Sequence, residues 1–437
     1  MALEKKSRSH LDGESRSESE EKKAGHDETN VQPLISLDDR IKAETAGSHA
    51  VSLARTDDAQ VVHEQRPDQR GKNGVERKPH EWIAEVGGSE NVFEQIRLAV
   101  PDSRAVCLWN DDPARFAGLE ETWLARSPLR GRKAAAMPFY TSAWNRVDLA
   151  GIDKVVVSSH AFSHHLASRA ARLGIPAFAY VHSPARYVWV PDLDDRGNSL
   201  LGRLGRSYFR RWDRRRVSDD VNYAANSHFV AKRILDAWGT NASVIYPPVD
   251  IERIRGYSGE LSDSDNATAS AMPPRFVLGA SRLVPYKNLD AAISAGEILG
   301  LPVVLAGTGP DEPRLRALAK QARTPVIFTG RVTDEFLVEL YRRAALFVYM
   351  AIEDFGIMPV EAMACGTPVL VNEVGGAGES VLATSGGLTT SWQGSRFDDP
   401  AVIEAAMNLD MTAAGSAVAK FSITSFREAL LSWVGEV

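Results

Sequence analysis

Short runs of apolar, often β-branched residues recur along most of this chain, separated by stretches in which apolar positions return every three or four residues. The runs predict strands at 80–86, 105–109, 154–158, 177–181, 222–225 and 243–246. They predict more at 275–280, 302–306, 325–329, 345–350 and 368–374. The stretches between them predict helices, among them 90–100, 311–322 and 333–343. Strands alternating with helices in this rhythm form parallel βαβ units with right-handed crossovers. The rhythm breaks at YSGELSDSDNATASAMPP, which is small and polar and ends in a proline pair, so 258–274 reads as a linker. The expectation is an α/β protein with two doubly wound parallel-sheet domains, 80–257 and 275–420, facing a central cleft. At the end, Phe426, Leu430 and Trp433 fall at helical spacing, and 421–437 is expected to pack back on the first domain.

The pattern does not reach the first 79 residues. None of the 34 aromatic residues lies before Trp82, although an even spread would put about six there. The first 80 residues hold 16 acidic and 14 basic side chains. Mixed charge this dense buries too little apolar surface to offset the entropy of ordering, so 1–79 is read as a disordered charged tail. The whole chain has 51 basic and 57 acidic residues among 437, a net charge of -6. This balance argues against binding nucleic acid through overall basicity. Two cysteines, Cys107 and Cys365, are too few for a disulfide framework and point to a reducing, cytoplasmic compartment. No apolar run approaches the roughly 18 residues that span a bilayer, and the N-terminal stretch lacks an apolar signal core.

In open parallel sheets, ligands sit at the carboxyl ends of the strands, so the loops after each strand are where chemistry is expected. Gly87-Gly88-Ser89-Glu90 opens a helix and allows a ligand close to the backbone, or is simply a tight turn. His182 ends a strand and is followed by Pro184, which aims it at the cleft or leaves it bonded in a loop. Arg282 and Lys287 bracket a turn and can hold a diphosphate, the first as a planar fork and the second as a point charge, unless both are merely solvated. Gly307 and Gly309 form a second close-approach turn. Glu353 precedes a helix started by Pro359 and stopped by Gly366, with Glu361 on the helix. Two carboxylates beside an Arg/Lys pair suit a ligand with a polyol part and an anionic part, as in a sugar nucleotide. Gly375-Gly376-Ala377-Gly378-Glu379 offers a further nest of backbone donors.

EDFGIMPVEAMACGTPVL (353–370) resembles the E-x7-E region of retaining GT-B glycosyltransferases of family 4 (glycosyl transferases group 1). SRLVPYKNLD, AGTGPDEPRLRALA, FTGRVTDEFLVELY, HEWIAEVGGSENVFE, YVHSPARYVW and IYPPVDIERI are similar to the same family, most of all to its branch of GDP-mannose-dependent mannosyltransferases. The resemblance covers nearly all of 80–437 and implies two Rossmann-like domains, the first for the acceptor and the second for the nucleotide sugar. It implies that Arg282 and Lys287 neutralise the donor diphosphate, Glu361 binds the ribose, Glu353 contacts the transferred sugar and His182 supports transfer. It places Gly87, Gly88, Gly307, Gly309, Phe355, Gly356 and Ile357 around the donor. No metal and no cofactor is implied; the donor is a nucleotide-diphosphate sugar and the acceptor a glycan or lipid-linked hydroxyl. Asp192-Leu193-Asp194 lies in a loop unlike a metal-binding strand end, and Asn91 stands where an Arg is frequent.

Other readings stay in view. A GT-B epimerase or phosphorylase, or a non-catalytic nucleotide-sugar-binding protein, shares much of this pattern. A nicotinamide dehydrogenase does not, since no G-x-G-x-x-G opens a helix after the first strand. The run Arg203, Arg206, Arg210, Arg211, Arg214, Arg215, Arg216, with Tyr208, Phe209 and Trp212, suits either an anionic membrane surface or a solvated face with salt bridges to Asp213, Asp219 and Asp220. The second of these is the preferred expectation. The cluster His160, His164 and His165 is a poor metal site at a strand end and helix start.

Overall fold

Every strand in the computed structural model runs parallel to its neighbours, in two sheets. The described residues are 75–84, 87–100, 103–190 and 200–435, with backbone only at 200–204. The charged tail up to residue 74, Asp192-Leu193-Asp194 and the Arg203 side chain lie outside them. The first sheet holds β1 (Glu76–His80), β2 (Arg104–Cys107), β3 (Glu120–Glu121), β4 (Lys154–Ser159), β5 (Ala177–Val181), β6 (Asn222–Ala225) and β7 (Ser243–Val244). The second holds β8 (Phe276–Ala280), β9 (Val303–Ala306), β10 (Val326–Gly330), β11 (Ala344–Tyr349), β12 (Val369–Asn372) and β13 (Gly387–Thr390). The first follows the order β3-β2-β1-β4-β5-β6-β7 and the second β10-β9-β8-β11-β12-β13. In each, the chain builds outward from the centre and then returns to build the other side. A crevice therefore opens at the carboxyl ends of β1 and β4, and another at those of β8 and β11.

The first strand corrects the sequence reading: it ends where it was expected to begin. ERKPH carries three charges and a proline, yet all five residues are buried. Arg77 Nη1 donates to Glu120 Oε1 at 3.1 Å, and Lys78 Nζ donates to the carbonyls of Ile96 at 3.0 Å and Val100 at 2.8 Å. Composition cannot tell such partnered charges from solvated ones, so residues 75–79 were counted with the tail.

The helices that matter for the site are α1 (Gly88–Ala99), α2 (His164–Arg172), α3 (Leu200–Arg214), α4 (His228–Trp238), α5 (Ile357–Ala364), α6 (Ala377–Thr384) and α7 (Ile423–Val434). The polar stretch read as a linker contains another helix, Asp263–Ser270, capped by Ser262. Ala269 and Met272 beside it are buried in the second core with Val249, Ile251 and Ile254. The chain thus passes from the first core to the second between Ile245 and Val249, and returns between Phe421 and Phe426. The two crossings are joined: Val249 N donates to Phe421 O at 2.8 Å.

After that return, α7 covers the first sheet. Ser422 caps its start by accepting from Ser425 N at 3.1 Å, and Gly435 ends it in the left-handed region at φ 75. Phe426, Leu430 and Val434 pack on Val92 and Ile96 of α1 and on Val156, Tyr180 and Ala224 of the sheet. Leu430 is 2% exposed. Leu430→Ala is expected to cost about 2–5 kcal/mol, read as a lower urea midpoint; an unchanged midpoint would place α7 outside the cooperative core.

Candidate functional site

The β8–β11 crevice gathers three of the expected groups. Arg282 and Lys287 lie on the loop after β8, which turns through Pro285–Lys287 and leaves by Asn288, a non-glycine residue at φ 52. Asn288 Nδ2 ties this loop to the end of β11 by donating to Met350 O at 3.0 Å. A Cβ on Gly307 would overlap the carbonyl of Ser281, and one on Gly309 the carbonyl of Leu283. These two glycines let the loop after β9 lie against the Arg282 loop, where Leu283 N donates to Thr308 O at 3.0 Å. Protein backbone therefore accounts for both.

Lys287 Nζ pairs with Glu353 Oε1, and the Tyr349 hydroxyl donates to Glu353 Oε2. Burial works to raise the Glu353 carboxyl, but the Lys287 ammonium and the Tyr349 hydroxyl leave it below its ordinary value. Arg282 is exposed and donates to the Tyr286 hydroxyl at 3.0 Å. The Lys287 ammonium stands 5.5 Å from the Tyr286 ring centre, so Tyr286 links the two cations. Glu361 belongs to different surroundings: its Oε2 accepts from the Tyr341 hydroxyl at 3.2 Å, and burial raises its carboxyl. Phe355 is 3% exposed and packs against Tyr246 and Phe421, at 5.7 and 5.5 Å between ring centres. It is a core residue, whereas Gly356 and Ile357 begin α5.

In the β1–β4 crevice, His182 Nε2 and His80 Nδ1 each lie 2.9 Å from Ser158 Oγ. His80 Nε2 is buried with no hydrogen-bond partner among the described residues, and the ring stacks on Phe93 at 4.6 Å. Glu81 Oε1 accepts from the amides of Ala161 at 2.9 Å and Ser163 at 2.8 Å, and Oε2 from the amide of His160 at 3.0 Å. Burial opposes its charge, but His160, His80 and these amides bring Glu81 down to about 2. His80, Glu81 and His160 offer ligand atoms within 4.8 Å of one another, as do His164, His165 and Asp213. The second set is saturated: Asp213 accepts from His164, His165 and the indoles of Trp189 and Trp238, at 2.8–3.0 Å.

Among the described residues, contacts cross between the domains at three places. A Cβ on Gly88 would stand 3.7 Å from Ile357 Cδ1, so α1 and α5 present their starts to each other. The Gly87 Cβ position is taken by the Glu90 carboxylate, which also accepts from Ala84 N at 3.1 Å. Asp354 pairs with Arg233 Nη1 and lies 3.5 Å from Arg186 Nε, while its carbonyl accepts from Ser227 Oγ at 2.5 Å. Arg233 Nη1 also reaches Ser183 Oγ at 3.5 Å. His182 and Glu353 are each next in sequence to an end of this bridge. Lastly, the Glu379 carboxylate accepts from the amides of His228 at 2.8 Å and Phe229 at 2.7 Å, at the first turn of α4. Glu379, in the stretch read as an anion nest, thus holds the other domain.

Sequence reasoning missed His80, Ser158, Glu81, Arg186, Arg233 and Asp354. The available signal was position: His80 and Ser158 end adjacent strands, and Asp354 follows Glu353.

Two outcomes follow from this geometry. Burial and neighbouring imidazoles lower His80 and His182 to about 3, and His165 to about 4. The unfolded chain takes up protons at these sites below about pH 6.5, while the folded chain does not. Their stabilising effect is complete above about 6.5 and is lost as pH falls toward about 3. The melting temperature should therefore drop across that window, and a flat profile there would contradict the buried neutral imidazoles. Separately, Glu379→Ala removes the acceptor of two amides at about 1 kcal/mol, so hydrogen exchange at His228 and Phe229 should quicken about fivefold or more.

Two α/β domains, each built on a parallel sheet with a crevice at the carboxyl ends of its strands, give the GT-B class of architecture. Residues 86–253 match the family described as Glycosyltransferase Family 4, and residues 262–392 match Glycosyl transferases group 1. Together the matches take in more than half of the 437 residues, and the chain belongs to this glycosyltransferase family. It is 29% identical over 236 residues to the GDP-mannose-dependent alpha-(1-6)-phosphatidylinositol monomannoside mannosyltransferase of Mycobacterium tuberculosis, covering 48% of this chain and 59% of that protein. It is 35% identical over 116 residues to the serotype-specific mannosyltransferase WbdA of Escherichia coli, covering 24% of this chain and 14% of that one. Both matches therefore span well under the relatives' full length. Among solved structures, Anabaena Alr3699/HepE in complex with UDP aligns with a TM-score of 0.59 at 18% identity, covering 83% of this chain and all of that one. WaaG, a glycosyltransferase involved in lipopolysaccharide biosynthesis, aligns with 0.56 at 17%, covering 82% and 99%. Among the described residues no helix is long and apolar enough to cross a membrane.

Proposed function

We propose that the chain is a retaining mannosyltransferase that moves mannose from GDP-mannose to a hydroxyl of a glycan or lipid-linked acceptor, without a metal ion. The observation that carries the reading is the Lys287–Glu353 pair beside Arg282 at the β8–β11 crevice. As the glycosidic bond breaks, the electron pair leaves with the diphosphate, and Arg282, Lys287 and the backbone amides at the start of α5 stabilise the growing negative charge. The sugar gains oxocarbenium character. The acceptor hydroxyl attacks from the same face and its proton goes to the departing phosphate, so no protein nucleophile is needed. Glu361 takes the ribose hydroxyls, and Glu353, held by Lys287 and Tyr349, contacts the transferred sugar.

His182 enters this scheme as a neutral ring. Burial first, then His160 and His80, keep its pKa near 3, so it orients the sugar as a hydrogen-bond partner and not as an acid. Ser158 engages Nε2, which leaves Nδ1 for the donor. The Asp354–Arg233 bridge keeps the domains together while the donor reacts, which limits attack by water.

With GDP-mannose as donor and EDTA present, transfer is expected to persist, and Arg282→Ala should lower it by about 10²–10³ in kcat. Full activity in Arg282→Ala would end this assignment. Epimerised sugar from donor alone would replace transfer with epimerisation.

A further inference from the structure

Arg211 and Arg215 do not have the partners that the sequence suggested. The expected salt bridges were to Asp213, Asp219 and Asp220. Asp213 instead turns inward, and its carboxylate is filled by two imidazoles and two indoles. No carboxylate lies within 4.0 Å of Arg172, Arg211 or Arg215 among the described residues. Other arginines are fixed by backbone and rings. Arg214 Nε donates to Ala237 O at 2.8 Å, Arg216 Nη1 donates to Trp212 O at 2.8 Å, and their guanidiniums lie over Trp189 and Trp212 at 5.3 and 4.7 Å.

Around these side chains the surface is hollow. A depression of about 750 Å³ is lined by Arg172, Arg211, Arg215 and Arg216 with Tyr208 and Trp212, and no acidic residue is among the described residues of its lining. A second, of about 510 Å³, adjoins it across Arg211 and Arg215 and adds Arg210 and Arg214. Burial lowers Arg216; Tyr208 and Asp213 oppose this, and Arg172 and Arg215 add smaller repulsions. Positive charge concentrated in a concave surface attracts anions strongly. Planar guanidiniums suit phosphate oxygens in pairs. All described lining residues belong to the first domain, and none of them is among the groups of the β8–β11 crevice.

We infer that this double hollow is an anion site for a phosphate ester or diphosphate, separate from the cleft. The group it takes is carried either on a lipid at an anionic surface or on a soluble phosphorylated molecule. Tyr208, 66% exposed beside the guanidiniums, supplies an apolar contact for whatever bears the phosphate. This inference does not depend on the transferase reading, because it is tested by binding.

The test uses the full chain and the double variant Arg211→Ser/Arg215→Ser. Both positions are exposed, and neither side chain makes a hydrogen bond among the described residues, so an unchanged melting temperature verifies folding. Titration calorimetry with inorganic pyrophosphate should show two sites in the natural chain and one in the double variant. Arg282→Ala should lose only the other site, so failure of the cleft assignment and failure of this one give different patterns. Flotation with phosphatidylcholine vesicles, with and without phosphatidylglycerol, separates the sources. Salt-sensitive retention on the anionic vesicles, weakened about fivefold for each guanidinium removed, assigns the site to a lipid phosphate. Pyrophosphate binding without vesicle retention assigns it to a soluble phosphorylated ligand. If the double variant binds both pyrophosphate and anionic vesicles as the natural chain does, or the natural chain shows neither, the inference is overturned.

Discussion

Asp354 is the point on which the relation of the two domains depends. A carboxylate this enclosed is costly unless it is paired, and burial indeed raises it against the pull of Arg186 and Arg233. Both arginines come from the first domain and the aspartate from the second, so neither domain satisfies its own charge. Opening the cleft leaves Asp354 and Arg233 to find water instead. The same residue accepts Ser227 Oγ on its backbone carbonyl, which fixes the peptide next to Glu353. Holding the domains together and setting the Glu353 loop are therefore one act.

The first domain answers with a site that avoids charge. Three imidazoles, His80, His160 and His182, stand with ring centres 5.1–6.4 Å apart at the ends of β1, β4 and β5. Burial first, and then repulsion from the neighbouring imidazoles, keep His80 and His182 neutral. Glu81 carries the local negative charge, and spends it on the amides that open the loop before α2. The crevice of the first domain is thus shaped by the neutral rings of His80 and His182, and that of the second by paired ions. A ligand with an uncharged hydroxyl-rich end and an anionic end fits that division.

Much of this was legible before the coordinates. Strands β5 and β6 fall where the apolar runs put them, because central strands of parallel sheets are buried on both faces and read as continuous apolar stretches. The loop residues Arg282, Lys287 and Glu353 were found because glycine, proline and charge cluster at strand ends. β1 was misplaced for the opposite reason: its charges are buried with partners far along the chain, Glu120 for Arg77 and Val100 for Lys78. Gly307 and Gly309 were assigned to a ligand because sequence shows that a glycine is required, not what approaches it. Phe355 was drawn in by its neighbours, although ring packing with Tyr246 and Phe421 is what holds it. Pairings such as Arg233–Asp354, 121 positions apart, leave no local trace.

The distribution of positive charge ties these observations together. Lys287 and Arg233 are matched by carboxylates, and Arg214 and Arg216 by backbone carbonyls and aromatic faces. In each of these the cation orders the protein. Among the described residues Arg282, on the second domain, bonds to a tyrosine hydroxyl and to no carboxylate, and Arg172, Arg211 and Arg215, on the first, meet no carboxylate. Leaving guanidiniums exposed and unmatched adds repulsion without ordering anything, so a chain of net charge -6 gains nothing in stability from placing them together. Under the two proposals that grouping has a reason: negative charge brought to the crevice by a nucleotide sugar, and to the outer hollow of the first domain by a phosphate-bearing molecule.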